Sequence, residues 1–173
     1  MHFSNQQYFI IKNNYVNTLL YFFFNLLSKL YSMAENGSII IVDKDLHHRS
    51  FLEDVFRDLK VNNKIVYCTN AESALEYLLN TKDGIFLIFS DIKLPTISGL
   101  EMKRIIDDNP ELRKKSIPFI FYTSTVNQNQ VNEAYIEMTI QGFFQKDMDY
   151  NEAREEMKGI LYYWNRCRHP DKM

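Results

Sequence analysis

The chain has only two cysteines, Cys68 and Cys167, in no CxxC pair and no disulfide framework. That suits a reducing compartment and excludes a small scaffold stapled by disulfides. Internal repeats and low-complexity tracts are absent. No cluster of Lys or Arg occurs, and a net charge of −2 with a pI near 6.1 gives no basic field for nucleic acid. Long apolar runs are missing too. The uncharged span 13–28 is broken by four asparagines and falls short of the roughly 20 apolar residues that a membrane-crossing helix needs.

The scarcities concentrate at the start. Residues 1–32 contain no Asp, Glu, Gly, Ala, Pro or Arg around the apolar centre "LLYFFFNLL" (19–27). Three readings stand: upstream sequence translated in error, a loosely attached extension, or a signal or membrane element. The first is preferred, because "MAENGSIIIVD" from Met33 reads as an ordinary beginning. Residues 1–37 are therefore set apart as an N-terminal extension, 38–169 form one domain, and 170–173 are a tail.

What is present from Ser38 onward is regular. With 173 residues, 46% hydrophobic and 24% charged, the chain can bury one domain's core. Short apolar runs, "SIIIV" (38–42), "KIVYC" (64–68), "IFLIFS" (85–90), "IPFIFY" (117–122) and "GFFQ" (142–145), barely alternate and read as strands buried on both faces. Between them, apolar residues recur at i, i+3, i+4, i+7. The stripes are Leu52, Val55, Phe56, Leu59; Ala71, Ala74, Leu75, Leu78; Val131, Ala134, Tyr135, Met138; and Met157, Ile160, Leu161, Trp164. A weaker stripe of Met102, Ile105 and Ile106 fills the third slot, with Pro110 and the loop to Lys115 ending that helix. Five strands alternating with five helices imply a doubly wound parallel sheet with right-handed crossovers, a (βα)5 unit.

Such sheets carry their functional groups at the carboxyl ends of the strands. Those ends hold Asp43, Lys44 and Asp45; Asp91; Thr123 and Ser124; and Lys146, while Thr69 and Asn70 read as a helix cap. A carboxylate can attack a phosphoryl group to form an acyl phosphate. A lysine and a hydroxyl can meet the phosphoryl oxygens, and further carboxylates can hold Mg²⁺. Each residue also has a plainer reading: Asp91 as a strand-ending acid, Asp43 as an ion-pair partner of Lys146, Thr123 as a cap, Lys146 as a surface lysine, Phe143 as core. His47 and His48 read as exposed residues at a helix start, since neighbours on a helix face different ways.

The stretch 38–167 resembles the receiver domain of two-component response regulators, a flavodoxin-like family. "SDIKLPTISGLE" (90–101) fits that family's S-D-x-x-[LM]-P-x-x-[SD]-G-x-E, with Asp91 at the phospho-acceptor position. Asp43 in "IIIVDKD" matches the first acid of the metal-binding pair, Thr123 the Thr/Ser position, Lys146 in "GFFQK" the lysine, and Phe143 the switch aromatic. The resemblance implies Mg²⁺ held by Asp43, Asp91 and the backbone carbonyl of Lys93. Lys44 stands where a second acid is usual, which weakens that site; Asp45 is a doubtful replacement, better placed as a helix N-cap. Lys44 either points into solvent or lends its ammonium in partial place of the cation. Asp147 stands where a proline is usual, which would leave Lys146 less firmly held.

The expected protein is a single-domain, cytoplasmic response regulator that is phosphorylated on Asp91 by a histidine kinase or histidine phosphotransfer protein. It is not an enzyme beyond Mg²⁺-dependent self-phosphorylation and autodephosphorylation. Its output would be contact with a downstream protein through "NQNQVNEAYIEM", "GFFQKD" and the 150–166 helix, with homodimerisation open and no role for nucleic acid or membrane. The alternative is a degenerate receiver that works as a phosphorylation-independent interaction module. A flavodoxin-type cofactor binder does not fit, for lack of a Ser/Thr/Gly-rich turn after strand one.

Overall fold

The computed structural model describes residues 37–168, so the expectations for 1–36 and for the tail lie outside the described residues. Five strands, β1 (Ser38–Val42), β2 (Ile65–Cys68), β3 (Ile85–Ser90), β4 (Phe119–Thr123) and β5 (Gly142–Gln145), pair in parallel in the order β2-β1-β3-β4-β5. Helices α1 (Leu46–Asp58) and α6 (Tyr150–Arg166) cover one face. The other carries α2 (Ala71–Asn80), α3 (Gly99–Asp108), α4 (Pro110–Lys114) and α5 (Gln128–Glu137). The chain order reverses between β1 and β3, where a doubly wound sheet opens its crevice.

Two-sided burial explains the strands' unbroken apolar runs. Along β1, Ile39 and Ile41 pack with Leu52, Val55, Phe56, Met157 and Leu161, whereas Ile40 and Val42 pack with Ala71, Ala74, Leu78 and Ile106. Each such side chain removed from water contributes roughly 1.5–3 kcal/mol. The edge strand β2 is only half-buried over Ile65–Tyr67.

Three helical expectations need correction. Pro110 does not merely stop a helix: it opens α4, because a first-turn residue needs no N–H, and Asn109 Oδ1 caps the N–H groups of Glu111 and Leu112. On α3, Ile105 faces solvent and Lys103 takes the inward position, its ammonium bonded to Asp107 Oδ1 at 2.5 Å and Thr139 Oγ1 at 2.9 Å. A lysine is buried here because it is paired. Tyr135 is likewise exposed, and among the α5 residues only Ala134 is buried.

α3 begins in a capping box: Ser98 Oγ accepts from the Glu101 N–H, and Glu101 Oε2 accepts from the Ser98 N–H. Ser98→Ala is expected to destabilise the fold by about 1 kcal/mol, read from the urea midpoint. A midpoint equal to the parent's would show that the box contributes nothing.

Candidate phosphoryl-acceptor site

Strand register, not local sequence, assembles the site. The Asp43 N–H donates to the Cys68 carbonyl, the Asp91 N–H to the Val42 carbonyl and the Lys146 N–H to the Thr123 carbonyl, at 2.8–2.9 Å. Each residue is thus held by one more rung of the parallel ladder, with Thr123 itself the last residue of β4. Their side chains converge. Lys146 Nζ donates to Asp43 Oδ2 at 2.7 Å and to Asp91 Oδ2 at 2.9 Å, and Thr123 Oγ1 donates to Asp91 Oδ1 at 2.8 Å. The Lys93 N–H also donates to Asp91 Oδ1, at 3.0 Å. Asp43, Asp91 and Thr123 are all buried.

Burial alone would raise both carboxyl groups. Against it, hydrogen bonds from His48 and Lys146 hold Asp43 down at about 2. For Asp91, burial is again opposed, chiefly by Lys146 and then by the Lys93 N–H and Thr123, and the net direction is downward. Both acids are therefore ionised at neutral pH, as a nucleophilic carboxylate must be. Lys146 is firmly anchored without the proline: its side chain is 5% exposed and bridges both acids.

The remaining sequence candidates divide. Asp45 is exposed, and its Oδ1 accepts from the N–H groups of His47 and His48, so it caps α1 as expected. Lys44 and Lys93 are exposed. Phe143 is half-buried against Phe121, with ring centroids 5.7 Å apart. His48 overturns its reading as a surface residue: it is buried, with Nδ1 2.5 Å from Asp43 Oδ2. A signal existed in the sequence. With Asp45 as N-cap, His48 is the third helical residue, the position from which a side chain reaches back over the cap.

The profile of the family described as "Response regulator receiver domain" matches residues 39–158. The chain belongs to that family. Response regulator Rcp1 of Synechocystis is 21% identical over 133 residues, which span 73% of this chain and 87% of Rcp1. A crystal structure of the Mn²⁺-bound form of Rcp1 superposes with a TM-score of 0.67 at 20% identity, covering 78% of this chain and 99% of that one. The phosphorylated cyanobacterial phytochrome response regulator RcpA gives 0.68 at 19% identity, covering 78% and 99%. The 3',5'-cyclic-nucleotide phosphodiesterase regA of Dictyostelium discoideum is 25% identical over 129 residues. That match spans 74% of this chain but only 16% of regA, so regA's named activity is not carried over. Receiver domains are signalling switches whose general function is phosphorylation on an aspartate. The chain is thus a response regulator receiver of the kind that makes up most of Rcp1, and its fold is the family's flavodoxin-like one.

The Rcp1 structure is of a Mn²⁺-bound form, and the receiver domain of the sensor histidine kinase PA1611 of Pseudomonas aeruginosa holds a magnesium ion in its active-site cleft. In this chain the candidate donors are largely committed to partners within the protein. Asp43 is already engaged at both oxygens, by the Asp45 N–H on Oδ1 and by Lys146 and His48 on Oδ2. The neighbouring acid is replaced by Lys44, and among the described residues no three His, Cys, Asp or Glu side chains cluster as metal ligands.

Proposed function

We propose that this receiver takes its phosphoryl group on Asp91 from the phosphohistidine of a histidine kinase or histidine phosphotransfer protein, and signals by protein contact in the cytoplasm. The observation that carries this is the set of three donors on one buried carboxylate: Lys146 Nζ, Thr123 Oγ1 and the Lys93 N–H. An Asp91 oxygen attacks phosphorus, the P–N bond breaks, and the imidazole leaves with the electron pair and takes up a proton from water. The donors that held the carboxylate lie beside the new group and can neutralise its oxygens.

The acyl phosphate adds about 1.5 to 2 negative charges and three acceptor oxygens. Lys146 and Thr123 follow those oxygens, the loop after β4 moves with Thr123, and Phe143 turns toward the space it leaves. The surface altered in this way comprises α5, β5, α6 and the loop between β5 and α6, where Tyr135, Ile136, Met148, Tyr162 and Tyr163 are exposed for a downstream partner. Phosphate biases this equilibrium only through contacts that differ between the two states. Self-phosphorylation and hydrolysis of the acyl phosphate are the protein's own chemistry. No described helix is long and apolar enough to cross a bilayer.

The second reading, a receiver that is never phosphorylated and acts as a binding module, is favoured by Lys44 beside an already engaged Asp43. Acetyl phosphate decides between them, supplied with and without Mg²⁺ and followed by intact mass. A gain of one phosphoryl group that is absent from Asp91→Asn supports the switch; no gain under either condition, with none from a phosphohistidine donor, establishes the inert module.

A further inference from the structure

His48 is built into the acid site from several sides. Its backbone N–H donates to Asp45 Oδ1 at 3.3 Å, fixing the first turn of α1. Its ring stacks on Phe51 at 6.2 Å and lies tilted against Tyr122 at 5.6 Å. Nδ1 sits 2.5 Å from Asp43 Oδ2, and both side chains are under a tenth exposed. Nε2 is buried with no hydrogen-bond partner among the described residues. Asp43 Oδ2 already accepts from Lys146 Nζ, so it is the acceptor toward His48 as well, which places the proton on Nδ1 and makes His48 the donor.

Two nitrogen donors, His48 Nδ1 and Lys146 Nζ, therefore share one oxygen of Asp43. A site with acids at both 43 and 44 beside Asp91 and Lys146 would retain two negative charges, the complement of a divalent cation. Here the ammonium of Lys44 replaces one acid, and His48 occupies the oxygen that the remaining acid would offer.

We propose that His48 is a positioning residue that, with Lys146, satisfies Asp43 in place of a divalent cation, making the acid site self-contained and weak for Mg²⁺ and Mn²⁺. The proposal rests on assigning the phosphoryl site to Asp43, Asp91 and Lys146, so its test reads metal binding alone, apart from phosphoryl transfer.

Free Mn²⁺ is measured by electron paramagnetic resonance as the full chain is added, with Mg²⁺ as competitor. His48→Phe fills the same space between Phe51 and Tyr122 without a donor to Asp43. It is expected to bind Mn²⁺ about tenfold more tightly than the parent, within the range by which groups bonded to metal ligands tune affinity. His48→Gln, whose amide still donates, stays near the parent, whereas Lys44→Asp combined with His48→Phe binds most tightly. Should the larger ring disrupt the layer, His48→Met carries the same expectation. Equal affinity across parent, His48→Phe or His48→Met, and the double variant overturns the proposal, as does weaker binding when the histidine is removed. A tightened Mn²⁺ site in a protein that takes no phosphoryl group would count against the proposed function and leave this inference standing.

Discussion

Lys146→Met is expected to destabilise the protein by about 3–5 kcal/mol at neutral pH, the cost of leaving buried charges without their partner. Methionine keeps the apolar stem out to the position of Lys146 Cε but none of the donors. Asp43 keeps His48, so Asp91 bears most of the loss, left with the Thr123 hydroxyl and the Lys93 N–H against its burial. The sign of the pH dependence follows. In the parent both carboxyls lie below their unfolded values, so the stability they contribute is present above about pH 4 and is lost as pH falls through the folded values. In the variant, burial of Asp91 is no longer outweighed and its folded value rises. Protonation then relieves the variant as the solution is acidified. The difference between the two proteins' urea midpoints should be widest near neutrality and narrow below about pH 4. A gap that stays constant across that range would mean that Lys146 stabilises by packing alone.

The same cluster separates what could be read along the chain from what could not. Strand positions were legible because two-sided burial writes itself as short continuous apolar runs, and strand ends then named Asp43, Asp91, Thr123 and Lys146 before any contact was known. Periodicity served less well where a charged residue was buried with a partner far along the chain. Lys103 meets Thr139 across 36 residues, and no local pattern announces such a pair. α5 misled in the opposite sense: an apolar residue such as Tyr135 can satisfy the helical spacing and still face solvent, because stripe and exposure part company on a helix that buries only Ala134. His48 was hidden because adjacent helix residues face different ways, which puts only one of the pair on the surface: His47 is exposed and His48 buried, where its side chain reaches back past the cap to Asp43. The substitution at Lys44 was plain from the sequence, but its consequence was not, since that depended on which group had taken hold of Asp43.

Gly99→Ala is expected to destabilise the receiver by about 2 kcal/mol or more, although alanine is the better helix former by up to about 1 kcal/mol. A Cβ on Gly99 would lie 2.2 Å from the Asp91 carbonyl oxygen and 3.1 Å from both the Asp91 carbonyl carbon and Ile92 Cα. All three are backbone atoms, so no side chain can swing aside. The segment is also tied down: the Gly99 N–H donates to the Ile92 carbonyl, and Ser90 Oγ donates to the Asp91 carbonyl oxygen that the new methyl would strike. Either α3 must withdraw or the backbone carrying Asp91 must move, so the phosphoryl uptake proposed for Asp91 should fall along with stability. Gly159, inside α6, supplies the contrast, because a Cβ there meets nothing within 4 Å. Gly159→Ala should raise stability by about 0.5–1 kcal/mol through reduced freedom of the unfolded chain. Thermal or urea unfolding of the two alanine variants should therefore move in opposite directions from the parent. A Gly99→Ala variant stabilised like Gly159→Ala would refute the close approach of α3 to the Asp91 carbonyl, because helix propensity alone favours alanine at both positions.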